Sequence, residues 1–176
     1  MLRYAHHHQI ELFCIIKMKI SEILSKSNII YPLEVDSKHD AIQELLNCLL
    51  YQKLLTATTK LFSFIDNDNQ LVNAAVGRGI AFHSSSSVEI DNSVAVFGVS
   101  KMGINYDSPD GQKVHFIFLI LDSLKEPEKH RRLISQIQNF INDSNVKSTI
   151  LSSNSCLEIS DIITNWENNY LSNEKF

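Results

Sequence analysis

Residues 79–90 read GIAFHSSSSVEI, a single histidine between an apolar run and four serines. An imidazole of ordinary pKa, near ~6.5, is largely neutral at neutral pH, and a neutral ring nitrogen is a nucleophile. His83 follows an apolar stretch and precedes a polar one, so it is expected at the edge of a sheet, facing water. Ser84 and Ser85 offer hydroxyl and backbone N–H donors for the oxygens of a phosphoryl group, where charge builds during transfer. His130 opens the run HRRLISQIQNFI. Near a helix N-terminus it could bring a positive partner to an anion that the helix dipole also favours. On the residues alone each has an ordinary structural reading too: a solvated loop histidine, a helix-start residue and a flexible serine loop. His115, inside VHFIFLI, reads as a strand residue with a satisfied hydrogen bond, and His39 as a structural residue of a first helical turn. Asp107 and Asp110 read as turn residues that bond their own backbone. There is no GxSxG, P-loop or HExxH motif, no metal-ligand spacing, and no cofactor is called for.

The elements that must position these groups are legible from periodicity. Ser37 can cap a helix with Asp40 three residues on. Ile42, Leu45, Leu46, Leu49 and Leu50 then repeat at helical spacing. A weaker helix covers roughly 56–65. SVAVFGVS (93–100) and KVHFIFLILD (113–122) are apolar almost throughout, as strands covered on both faces are. Leu133, Ile134, Ile137, Phe140 and Ile141 return to helical period, and Ser155-Cys-Leu-Glu158 is a capping box opening a last helix with Trp166 inward. Four of the five glycines fall between 77 and 103, which concentrates special backbone geometry there. Helices on either side of central strands predict an α/β fold, one domain with a mixed sheet and helices packed on both faces.

Composition narrows the function classes. A chain of 176 residues, 44% hydrophobic and 20% charged, suits one soluble globular domain. The net charge of −4 argues against nucleic-acid binding, and KHRR at 129–132 is too short for a basic stripe. No apolar run is long enough to insert in a membrane. Cys14, Cys48 and Cys156 follow no metal or redox spacing and read as buried or incidental thiols of a reducing, cytoplasmic location. MLRYAHHHQIELFCIIK lacks the pattern of a secretory signal. Residues 1–17 are expected to be an extension outside the fold, His6, His7 and His8 a solvated tail, 18–170 the domain and 171–176 a C-terminal tail.

Three blocks, GRGIAF (77–82), VAVFGVSKMGINYDSPDGQKVHFIFLI (94–120) and HRRLISQI (130–137), together resemble the enzyme IIA domain of the bacterial sugar phosphotransferase system. The type is that of the fructose, mannitol and nitrogen-regulatory proteins, and the resemblance runs from about Met18 to Trp166. It implies a cytoplasmic phosphocarrier that takes a phosphoryl group from the histidine phosphocarrier protein. The group then passes to a sugar permease domain, or its presence serves as a regulatory signal. The resemblance implies His83 as the phosphorylated residue and His130 as its partner.

The match departs from the family at the reactive histidine and in the segments that precede it. The family's reactive histidine stands in a GIAIPH segment. An ungapped alignment puts His83 at the proline and Ser84 at the histidine; a deletion of one residue, balanced in the serines, returns His83 to the role. Asp68-Asn69 and Asn73-Ala74-Ala75 stand where the family carries Arg-Glu and Ser-Thr-Gly. Two readings are therefore open. One is an active carrier, expected to be stand-alone and regulatory and to act in trans on a permease domain or a regulatory target. The other is a degenerate member that keeps the fold and works by binding partners.

Overall fold

The computed structural model describes residues 19–66, 74–123 and 127–173, with the side chains of 127–130 and 173 outside the description. The expected extension at 1–17, the His6–His8 run, Asp68-Asn69 and Asn73 therefore lie outside the described residues.

The sheet grows from the two apolar runs. Strand β4 (Val94–Ile104) and strand β5 (Val114–Asp122) pair antiparallel, with Phe97 opposite Phe118 and Val94 opposite Leu121. Strand β3 (Ile80–Ser86) adds in parallel to the other side of β5, and strand β2 (Ala75–Gly77) closes that edge antiparallel to β3. Strand β1 (Ile29–Ile30) lies parallel to β4 at the opposite edge. The order is β1-β4-β5-β3-β2, a mixed five-stranded sheet. The tight turn between β2 and β3 runs through left-handed backbone at Gly77, Arg78 and Gly79. The carboxylate of Asp110, from the β4–β5 turn, receives the Arg78 N–H at 2.6 Å. Asp110 also accepts from Ser108 Oγ and the Gln112 N–H, so the expected turn role extends to joining two hairpins. These donors hold its carboxyl below the usual carboxylate range.

Side chains alternate across the sheet, so each face has its own core. On one face Phe97, Phe116, Phe118 and Ile120 meet helix α4 (Pro127–Asn142), helix α5 (Ser144–Ser152) and helix α6 (Cys156–Asn173). Leu133, Ile137, Phe140, Ile150, Ile159 and Ile163 are fully buried there. Trp166 packs edge-on to Phe140, as the helical spacing predicts. The short helix α1 (Ile20–Ile23) lies on this face as well. On the other face Val96, Ile117, Leu119 and Leu121 pack against helix α2 (Lys38–Tyr51), with Ile65 of helix α3 (Thr59–Ile65). Ser37 caps α2 by accepting the Asp40 N–H at 3.1 Å. The Ser155 hydroxyl accepts the Glu158 N–H at 3.2 Å, and the Glu158 carboxylate takes the Asn154 N–H. Both expected caps are formed. The architecture is the expected α/β fold, a mixed sheet with helices on both faces.

The serine run corrects one expectation. Ser84, Ser85 and Ser86 are not loop but the end of β3, in register with Ile120, Leu121 and Asp122. The partner strand supplies the pairing, so the ladder overrides the low strand preference of serine.

Candidate functional site

His83 stands at the middle of β3, opposite Leu119. Pairing from Ile80 to Ser86 runs without a register shift, so residue parity decides which face each side chain meets. Ile80 and Phe82 belong to the core under α4 and α6, and Ala81 to the core under α2. His83 shares the parity of Ala81 and lies on the α2 face; Ser84 and Ser86 share that of Phe82 and lie on the α4 face.

The expected water-facing ring is not found: His83 is only 3% exposed. The apolar neighbours that make β3 an interior strand enclose the ring as well. Its Nε2 lies 3.4 Å from the hydroxyl of Tyr106, a long contact between two buried groups. Burial, and then the ammonium of Lys38, push the His83 pKa down to about 4. Burial raises the Tyr106 phenol, with a further push from the Asp66 carboxylate. At neutral pH the pair is thus a neutral imidazole beside a protonated phenol. The ring has the electronic state of a nucleophile without access to a reagent.

A polar cluster borders this pair. His39 Nδ1 lies 3.0 Å from the Asp66 carboxylate and its ring meets Phe62 edge-on at 4.5 Å. This ties the first turn of α2 to the end of α3, the structural part expected of His39. The sequence reading missed Tyr106 and Lys38. Tyr106 follows the last residues of β4 and Lys38 opens α2, and no local spacing joins either to His83.

Of the other proposed groups, Ser84 lies on the opposite face, while Ser85 shares the parity of His83 and so its face. Ser84 is exposed and Ser85 half-buried. Asp122, in register with Ser86, is 6% exposed and brings an acidic side chain to the same end of the sheet. His130 belongs to the first turns of α4, and its side chain lies outside the described residues. His115 donates from Nδ1 to the Ser100 carbonyl at 2.9 Å, the satisfied strand histidine that was expected.

A five-stranded mixed sheet in this order, with helices on both faces, has the fold of solved phosphotransferase-system IIA domains. The family described as the phosphoenolpyruvate-dependent sugar phosphotransferase system, EIIA 2, matches residues 22–166, and the chain belongs to it. It is 28% identical over 146 residues to the fructose-specific EIIABC component of Bacillus subtilis (strain 168). That match takes in 83% of this chain and 23% of the Bacillus protein, so the chain spans about a quarter of that relative. It is 28% identical to a nitrogen regulatory protein homolog of Haemophilus influenzae (strain ATCC 51907 / DSM 11121 / KW20 / Rd), covering 81% of this chain and 88% of that one. Among solved structures, IIA-Ntr of Neisseria meningitidis superposes with a TM-score of 0.73 at 22% identity, over 82% of this chain and 98% of that one. IIA mannitol of Escherichia coli does so at 0.65 and 16%, over 78% and 96%. These two likenesses establish the fold.

Among the described residues, no helix is long and apolar enough to cross a membrane.

Proposed function

We propose that this chain is a regulatory IIA-type domain that acts by binding partners and does not carry phosphate on His83. The observation behind this reading is the parity of β3. Pairing with β5 runs from Ile80 to Ser86 without a register shift, which supports the ungapped alignment that puts Ser84 at the reactive position. Ser84 then takes that position, on the face where α4 begins, while His83 is enclosed on the other face. A phosphoryl group must be presented in line to the accepting atom, and an enclosed ring offers no such path.

The regulatory assignment is supported by relatives most of whose length this chain matches. It covers 88% of the Haemophilus nitrogen regulatory homolog and 95% of a nitrogen regulatory protein of Bradyrhizobium diazoefficiens (strain JCM 10833 / BCRC 13528 / IAM 13628 / NBRC 14792 / USDA 110). A partner class is suggested by the solved complex of enzyme IIA mannitol with phosphorylated enzyme IIB mannitol of Escherichia coli, whose IIA superposes with a TM-score of 0.62. The partners proposed here are the histidine phosphocarrier protein or an enzyme IIB-type domain. Either would dock on the end of the sheet that carries Ser84 and Ser86, where Val88 is 86% exposed.

The test incubates the chain with phosphoenolpyruvate, enzyme I and the histidine phosphocarrier protein, followed by intact-mass measurement at neutral to alkaline pH. The expected result is no acid-labile phosphate under conditions that label an ordinary enzyme IIA, together with amide shifts at Ser84, Ser86 and Val88 on titration with the phosphocarrier. An acid-labile phosphate that disappears in His83→Ala would overturn the reading and make the chain a carrier.

A further inference from the structure

The segment SKMG at 100–103 belongs to the most family-like block of the sequence, yet it takes no part in the site above. Against β5, strand β4 slips register between Val99 and Ile104, and the intervening residues bulge away from the ladder. The bulge is held rigidly. Gly103 has φ +69°, and a Cβ there would meet Lys113 Cβ at 2.7 Å and the His115 ring at 2.8 Å. The same His115 ring holds the Ser100 carbonyl from below.

On the open side of the bulge the edge of β4 is only partly covered. β1 pairs with Phe97 and Gly98, the Leu33 N–H donates to the Val99 carbonyl at 2.8 Å, and the chain returns to β4 where Ser37 bridges Asn105 in parallel. Between these two points Glu34, Val35 and Asp36 run alongside β4 without pairing to it. The two chains enclose a cleft of about 600 Å³. That volume falls in the range of small-ligand sites.

Charged, amide and apolar side chains share the lining of the cleft. At the Tyr31 end, the Lys101 ammonium lies 5.4 Å from the centre of the Tyr31 ring, and Asn154 completes the wall. Towards α2 the wall carries Glu34 and Asp36, both exposed. Leu33, Val35 and Met102 are its apolar lining. An extended tripeptide is about 10 Å long at about 3.3 Å per residue, a size that a cleft of about 600 Å³ admits.

We propose that this cleft binds a short, free zwitterionic peptide in extended form. Its carboxylate lies at Lys101 and Asn154, its ammonium at Glu34 and Asp36, and its backbone along the uncovered edge of β4. A cation at one end and two carboxylates at the other match the charges of such a peptide, and the opposite orientation sets like charges together. The edge main chain supplies hydrogen bonds that do not depend on side-chain identity, so the site reads the two termini and the length of the ligand. Occupancy would also press on the stretch leading into Ser37 and Lys38, and so reach the first turn of α2.

The test titrates tri-alanine into the ¹⁵N-labelled chain and follows amide shifts. Saturable shifts are expected at Glu34–Asp36 and Ser100–Met102, with a dissociation constant of about 1 mM or tighter. N-acetyl-tri-alanine amide, which lacks both charges, is expected to bind at least about tenfold more weakly, as is tri-alanine to the Lys101→Glu chain. Lys101 is exposed, and the dispersion of the remaining amides checks the variant's fold. The proposal is overturned by linear, unsaturated shifts up to about 20 mM, by equal binding of the blocked peptide, or by unchanged binding to folded Lys101→Glu. None of these outcomes bears on whether His83 accepts phosphate.

Discussion

The state of His83 is fixed by what surrounds it. In the folded chain its pKa is about 4, because burial and then Lys38 disfavour the imidazolium; in an unfolded chain it would titrate near 6.5. Above pH 6.5 neither state holds the extra proton and the contribution to stability is fully present. As the pH falls from 6.5 towards 4, the unfolded chain takes up a proton that the folded chain refuses, so stability is lost across that window. A shift of this size corresponds to about 3 kcal/mol at its limit. Phenylalanine keeps the ring volume and removes the titration. His83→Phe is expected to cost about 1 kcal/mol at pH 7.5, where the Tyr106 hydroxyl loses its partner. It is expected to lose less stability than the parent between pH 6.5 and 4.5. Urea unfolding at a series of pH values measures both, and parallel pH profiles for the two chains would show that His83 is not held neutral.

The elements show why some of this was readable from the sequence and some was not. Strands β4 and β5 and helices α2, α4 and α6 are each specified by their own residues: β-branched and aromatic runs, apolar spacing, and the caps Ser37 and Ser155. Helix α5 is short and weakly patterned, with only Val146 and Ile150 buried, and it passed unnoticed. Strand β1 has two residues and exists through its pairing with Phe97 and Gly98. The serine end of β3 is a strand because β5 lies beside it. The site followed the same rule. That His83 and Ser84 sit on opposite faces depends on the β3–β5 register, a long-range property that no local motif encodes. The bulge of β4 is likewise a meeting of distant parts. Gly103→Ala adds a Cβ within 3 Å of Lys113 and His115 at a positive φ, and is expected to destabilise by about 1–3 kcal/mol. Denaturant unfolding reads this directly, with amide shifts expected to centre on Ser100 and His115; a midpoint equal to the parent's would mean the bulge yields freely.

At the scale of the whole molecule, the first and last described helices are joined through one buried carboxylate. Glu167 of α6 is 5% exposed, and it accepts the Ile20 N–H at 2.6 Å and the Ser21 hydroxyl. These two donors belong to the first turn of α1, whose preceding residue Lys19 supplies no side-chain cap. The carboxylate therefore does the capping from 147 residues away, and it favours the positive end of the helix dipole. α1 is too short to hold itself together by propagation, so its order depends on this contact and on burying Ile20 and Leu24. Glu167→Ala leaves the buried Ile20 N–H without its partner and is expected to cost about 1–3 kcal/mol. The loss should be local before it is global. Hydrogen exchange should speed up at Ile20–Leu24 well below the thermal midpoint, while the amides of β4 and β5 keep their protection. Glu167→Gln, which can still accept the Ile20 N–H but lacks the charge, should recover part of the protection. Unchanged exchange at Ile20 in the alanine variant would mean that burial alone holds α1 and that Glu167 contributes nothing to it.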